Sequence, residues 1–328
     1  MNFLKAPFGK ILPFIEDPEI NEIMINGISP VYIEKQGQVI KTSLCFETHD
    51  EVLNLAQNLL LQTHRRLDEA CPFVDARLHN GMRLHAIIPP LSLQGPILTI
   101  RKFLPTFVNQ EKLIEYKTLN QEMLLFLKTQ IQEKKNILIS GGTSTGKTTL
   151  LNILSSFIHK EERIITIEDV AELHLLQEHV ISLESKKPNI ENKGEITLRQ
   201  LLQNALRMRP DRIIVGECRG EETLDMLQAM NIGHKGSLTT LHANSPRDAL
   251  RRLEMLMLLS GCDFPIKALR QHIESAVDLI IHLEKTEVGV RKISHITQIC
   301  GLEGDTIILH DVFSSFSEGW KNNTPMTN

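Results

Sequence analysis

Asn136 to Leu151 reads NILISGGTSTGKTTLL, an apolar run, a Gly-rich turn and a helix-forming run in that order. Gly141 and Gly146 stand five positions apart with Lys147 and Thr148 next, so the GxxxxGK[ST] pattern falls in the strand-to-helix setting its chemistry requires. Across Gly141, Gly142, Thr143, Ser144, Thr145 and Gly146, small residues let successive backbone N–H groups turn inward. The helix that follows adds the positive end of its dipole. Lys147, with Thr148 and Thr149 beside it, then reaches the β- and γ-phosphates, and the Thr148 hydroxyl can take a place on Mg²⁺. A chance Gly/Thr-rich turn is the bland alternative, but pattern and flanks agree. The stretch implies nucleotide binding, with ATP and Mg²⁺ as the expected ligands, and leaves open what the nucleotide drives.

The chain has 328 residues, and at roughly 150 residues per domain that suggests two domains. A composition of 41% hydrophobic and 23% charged residues is that of an ordinary globular protein, which argues against a disordered or fibrous one. A net charge of −4 gives no basic face, so no nucleic-acid partner is expected. Cys45, Cys71, Cys218, Cys262 and Cys300 are scattered without a CxxC pair and read as reduced, mostly buried thiols of a cytoplasmic protein. The opening MNFLKAPFGKILPF is broken by Pro7 and Pro13 and does not read as a secretory signal. No apolar stretch approaches the ~18 residues of a membrane span, so membrane association is expected to be peripheral.

Before the Gly-rich turn, residues 1–103 read as a smaller α+β domain. NEIMING and VYIEKQGQVI suggest strands joined at Gly27 and Gly37. THDEVLNLAQNLLLQT carries Val52, Leu55, Ala56, Leu59 and Leu60 at helical spacing behind a Thr48 cap. DARLHNGMRLHAIIPP suggests a hairpin turning at Asn80-Gly81, followed by the strand ILTIRKF. Residues 104–117 read as a linker around Pro105. Residues 118–328 then alternate: RIITIE strand, TLRQLLQNALRMR helix, RIIVGE strand, ETLDMLQAMNIG helix, SLTTLH strand, SPRDALRRLEMLMLL helix. Such alternation argues for a parallel α/β sheet with ligands at the carboxyl ends of its strands. IKALRQHIESA adds a helix, a small set of terminal strands follows, and the last residues, Asn322 to Asn328, are expected to be disordered.

Strand-end acids belong where that rule puts ligands. Glu217 closes RIIVG, and Glu168 closes RIITI with Asp169 beside it. Either acid can hold Mg²⁺ through water or orient a water for attack on the γ-phosphate, while Asp169 and Glu172 read equally as caps or surface charges. His242 ends SLTTLH near Thr239, Thr240 and Asn244, where it can contact the γ-phosphate or serve as an ordinary structural histidine; His234 is a weaker candidate. Arg77, Arg83 and Arg101 lie on strand-like pieces of the first domain. They are open to two readings, surface cations or arginines that approach the nucleotide phosphates.

Together these pieces resemble the secretion ATPase superfamily that powers type II and type IV secretion and pilus assembly. GGTSTGKT resembles its Walker A box, TIEDVAEL its Asp box, RPDRIIVGECRG its Walker B segment and GSLTTLHAN its His box. NEIMING, DARLHNGMRLHAIIPP, LTIRKF and GECRGEETLDMLQAMNIGHKGSLTTLHANSPRDALRRLE are most similar to the CpaF/TadA branch, which serves Flp-type pili. The resemblance implies a RecA-like P-loop domain preceded by the smaller α+β domain, working as a cytoplasmic homo-hexamer at the inner face of the cytoplasmic membrane on an inner-membrane platform protein. It implies Glu217 as the Walker B acid, Glu168 as the Asp-box acid, His242 as the His-box histidine, and Arg83 and Arg101, with Arg77 less firmly, as arginines that approach the nucleotide. The long extension that many branch members carry before NEIMING is nearly absent, and so is the tetracysteine module of type II secretion members. Pilus assembly or protein secretion is the leading expectation. The alternatives are an ATPase of a conjugative or effector-delivering type IV system, a docking scaffold with little turnover, and a DNA-translocating motor.

Overall fold

The computed structural model describes residues 6–35, 37–61, 63, 65–78, 81–102, 109–188, 193–286, 289–316 and 319–322. The chain divides into two units, Met1–Phe107 and Val108–Asn328. The turn residue Asn80, the domain boundary at Phe103, the linker stretch 104–108 and the tail 323–328 lie outside the described residues. The second part of the expected linker is ordered: Gln110–Glu115 forms a helix capped by Asn109 that buries Leu113 in the second unit's core.

In the first unit a short helix α1 (Leu12–Glu16) leads into β1 (Ile20–Asn26), β2 (Tyr32–Lys35) and β3 (Gln38–Lys41). After α2 (His49–Leu60) come β4 (Phe73–Arg77), β5 (Arg83–Ile87) and β6 (Ile97–Arg101). The sheet order is β3-β2-β1-β6-β5-β4. Thr48 caps α2 by accepting the Glu51 amide at 3.2 Å, and the five apolar residues read from the sequence are the ones buried. Alternation along the strands sends Ile23, Ile25, Leu84, Ala86, Leu98 and Ile100 into one core. The opposite face carries an apolar rung of Phe73, Ile87 and Ile97 at one end and charged residues at the other, where register puts Arg77 opposite Arg83 and Arg83 opposite Arg101. Directly opposed residues share a face, so the three arginines form one rung, continued by Glu22 on β1.

The second unit comprises α3 (Gln110–Glu115), α4 (Gln121–Gln132), β7 (Ile137–Gly141), α5 (Lys147–Ser155), β8 (Ile164–Glu168), β9 (Val180–Glu184), α6 (Leu198–Ala205), β10 (Arg212–Val215) and α7 (Glu222–Asn231). It continues with β11 (Leu238–His242), α8 (Pro246–Leu259), α9 (Ile266–Ala276), β12 (Leu279–Lys285), β13 (Arg291–Glu303), β14 (Thr306–Phe316) and β15 (Gly319–Asn322). The sheet runs β15-β14-β13-β12-β7-β11-β10-β8-β9. From β12 to β9 all pairs are parallel, and β12 to β15 pair antiparallel. This is the RecA-like α/β arrangement expected, with β9 as an outer parallel strand that the sequence reading did not separate from its loop.

Apolar packing on both faces explains why β7, β8 and β10 are buried along their whole length. One core lies under α6 to α9 and the other under α4 and α5. At the lower end of the sheet Arg212 is wholly buried and gives two hydrogen bonds to Glu162, at 2.8 and 2.9 Å. Gly236 leaves the room for it: a Cβ there would lie 2.5 Å from the guanidinium. Asn136 ties the same end together, donating to Met230 and Ala276 carbonyls and accepting the Gly236 and Ser237 amides. The cysteine expectation needs correction. Cys218 alone of the five is buried, whereas Cys71 and Cys262 are half-buried and Cys45 and Cys300 exposed.

Candidate active site

The carboxyl ends of β7, β10 and β11 place three functional segments side by side. Register aligns Gly141, the last residue of β7, with His242, the last of β11. From Gly141 the chain turns through Ser144 at φ 59° and Gly146 at φ 96° before α5 begins at Lys147. Gly141 has a steric reason to be glycine, because a Cβ would stand 2.5 Å from the Leu283 carbonyl and 2.8 Å from Thr145 Oγ1. Thr145 closes the loop by donating to the Gly142 carbonyl at 3.0 Å. Lys147 is buried and folds back over the loop, donating to the carbonyls of Gly141 and Gly142 at 3.1 and 2.7 Å. Burial lowers its proton affinity, the Glu217 charge opposes this and Arg219 adds to it. Thr148 and Thr149 follow in the first turn of α5, at the positive end of its dipole.

Glu217, just past β10, is the hub. Its Oε2 accepts from Arg219 at 2.6 Å, and its Oε1 lies 3.0 Å from His242 Nε2. That second approach is off the line of a hydrogen bond, so Oε1 is left buried without a donor. Thr148 stands in the first turn of α5 directly behind the phosphate loop, and with the orphaned carboxylate oxygen of Glu217 it supplies the hard oxygen donors that Mg²⁺ with a triphosphate takes. Thr148 and Glu217 therefore fit the metal, directly or through water. Thr240 fixes the approach to Glu217 by donating to the Gly216 carbonyl at 2.7 Å. Burial lowers the proton affinity of His242, helped by the charges of Lys147, Arg219 and Arg252 and opposed by Glu217. The shift favours the neutral imidazole. A cleft of about 520 Å³ opens here, lined by Gly142, Thr143, His242, Asn244, Arg251 and Arg252.

Glu168 sits apart from this cluster. It is 4% exposed, and its Oε1 accepts the amides of Glu172 and Leu173 at 2.9 and 3.1 Å, so it braces its own loop. Burial pushes its carboxyl up to about 7 against the pull of those amides. A Cβ on Gly216 would stand 2.9 Å from the Glu168 side chain, so the acid lies against the residue before Glu217. Asp169 accepts from Ser185 at 3.0 Å, and Glu172 serves Glu168 through its backbone. His234 bonds the Pro210 carbonyl at 3.0 Å, at the opposite end of the strand from the cleft, and Thr239 packs on Cys218. Arg77, Arg83 and Arg101 belong to the first unit's rung described above.

Two residues escaped the sequence reading. Arg219, two positions after the strand-end acid, is the cation that holds Glu217, and that spacing was the available signal. His282 is 1% exposed and accepts or donates a 2.8 Å hydrogen bond with Ser140, the residue before Gly141. It is 142 positions away and gave no local signal.

Residues 5–294 match the family model described as type II/IV secretion system protein. The chain is 34% identical over 302 residues to the putative conjugal transfer protein Rv3659c of Mycobacterium tuberculosis H37Rv, covering 90% of this chain and 85% of that protein. It is 32% identical over 289 residues to the conjugal transfer protein TrbB of Rhizobium radiobacter, covering 86% and 85%. Among solved structures the pilus retraction motor PilT with bound ADP shares the fold at TM-score 0.62, with 20% identity, over 92% of this chain and 81% of PilT. The chain belongs to the type II/IV secretion system protein family and is an ATPase.

Proposed function

We propose that this ATPase powers a type IV secretion system of the conjugal-transfer kind. The observation that carries this reading is the similarity to conjugal transfer proteins along most of the chain. It reverses the ordering drawn from the sequence pieces, which put pilus assembly first. Assembly of a tight-adherence pilus of the CpaF/TadA branch remains the second reading, favoured by the long run GECRGEETLDMLQAMNIGHKGSLTTLHAN.

In the site, Lys147 leaves the Gly141 and Gly142 carbonyls for the β- and γ-phosphates, and the loop amides take the remaining phosphate oxygens. Bound Mg²⁺ supplies charge neutralisation at those oxygens. Glu217 orients and polarises the attacking water once Arg219 lets go of it, neutral His242 donates to the terminal phosphate, and Glu168 braces the loop beside Glu217. Arg83 and Arg101 act on the bound nucleotide from the first unit, with Arg77 in support. The working form is a homo-hexamer at the cytoplasmic face of the membrane, docked on a membrane protein of the secretion machine. Among the described residues no helix is long and apolar enough to cross a membrane, which suits a peripheral role.

The test is genetic. Deleting the gene should abolish plasmid transfer with surface pili unaffected, and wild type should restore transfer where Lys147→Ala does not; loss of pili with transfer intact would hand the assignment to the second reading.

A further inference from the structure

The hairpin joining β12 to β13 lies against the phosphate loop. The Leu283 carbonyl fills the space beside Gly141, and a Cβ on Gly146 would touch Arg291 Cδ at 3.4 Å. Register pairs Leu283 with Ile293 and Lys285 with Arg291. Leu283 and Ile293 belong to the core under α5, so Lys285 and Arg291, two residues further along each strand, continue that face past the sheet toward the start of α5. Thr286 closes the hairpin, donating its amide to the Val290 carbonyl at 2.8 Å and accepting the Val290 amide on its hydroxyl at 3.0 Å. Both cations are exposed, and among the described residues neither is paired with a carboxylate.

Direction along the sheet gives these cations a ligand. Glu217 and His242 follow β10 and β11, on one side of β7, and β12 flanks β7 on the other. A triphosphate whose terminal phosphate meets Glu217 and His242 therefore presents its nucleoside-side phosphate toward β12 and β13. We propose that Lys285 and Arg291 form an α-phosphate clamp, binding the end of the nucleotide that the hydrolytic residues do not reach. The proposal rests on residues 141–149 being the nucleotide cradle. It gives the hairpin a role in holding ATP and ADP alike, which keeps product bound after the γ-phosphate has gone.

Calorimetric titration of the full chain with ATP, ADP and inorganic tripolyphosphate tests this, using Arg291→Gln, Lys285→Gln and the double variant. All three ligands should weaken, by about tenfold per cation removed, with Arg291→Lys recovering most of the loss. Unchanged affinities in the double variant overturn the clamp. So does a loss confined to ATP and ADP with tripolyphosphate unaffected, because that places the contact on the nucleoside. Loss for ATP with ADP unchanged also overturns it, because that moves the cations to the γ-phosphate. Wild-type protein that binds none of the three would remove the cradle reading itself, an outcome distinct from a clamp that fails on a working cradle.

Discussion

Glu168 is a buried carboxyl whose proton affinity has been raised to about 7 by desolvation, with two loop amides pulling the other way. Because its folded value lies above its unfolded one, its contribution to stability is fully present below the ordinary glutamate value and is lost as pH rises through about 7. The loss amounts to about 3 kcal/mol. Glu168→Gln keeps an acceptor for both amides and carries no charge, so it should flatten the fall in stability between pH 5 and pH 8 seen in urea titrations of the wild type. A wild-type stability that does not change over that range would contradict the burial argument. His242 supplies the opposite sign. With burial and neighbouring cations lowering its proton affinity in the free protein, the acid limb of the pH profile for kcat/KM should lie below the usual histidine range, and His242→Gln should remove that limb. An acid limb left in place by the substitution would assign it to another group.

At the scale of elements, the sheet's lower end is held by a buried ion pair and its upper end by steric fit. Burial pushes Glu162 up, but the hydrogen bonds and charge of Arg212, with help from Lys134, bring it below the ordinary glutamate value. Depressed carboxyls lend stability above their unfolded value and lose it in acid, so this pair should contribute to unfolding below about pH 4. Arg212→Met leaves Glu162 buried with only Lys134 at 3.1 Å, and should destabilise by about 3 to 5 kcal/mol. Glu162→Gln with Arg212→Met together should recover much of that loss in thermal melts, and failure to recover would mean that packing, with charge secondary, holds this corner. Capping is a smaller effect: Thr197 and Gln200 form a reciprocal box at the start of α6, and Thr197→Ala should lose about 1 kcal/mol.

The same scale shows what a sequence can and cannot carry. Strand β7, its loop and α5 were legible because apolar run, Gly-rich turn and helix former are contiguous, as were α2 with its Thr48 cap and α8 with Ser245 and Pro246. Helix α3 hid behind Pro105 and charged residues, and β9 behind alternation too weak to separate it from its loop. The Glu217–Arg219 contact was two residues wide and still unread, because an exposed arginine after an acid looks like a surface charge. Ser140–His282 and Gly146–Arg291 join distant parts of the chain through sheet order, which no local pattern encodes.

For the whole molecule, each unit has its own core and carries its own candidate site residues. The first unit brings Arg77, Arg83 and Arg101 onto one rung, a concentration of positive charge on an exposed face of the sheet that suits anion contact. If that rung serves the nucleotide, Arg83→Ala and Arg101→Ala in the full chain should each lower kcat by about 100-fold or more while the melting temperature stays near wild type. Unchanged turnover in both would confine the chemistry to the second unit. Hydrolysis turns most on Glu217, the half-buried acid whose buried Oε1 has no hydrogen-bond donor. The direct measurement is a paired one on Glu217→Gln: ATP affinity by calorimetry and steady-state ATPase rate on assembled protein. Near wild-type affinity with turnover reduced by about 100-fold or more is expected; turnover equal to wild type at equal affinity would remove Glu217 from the chemistry.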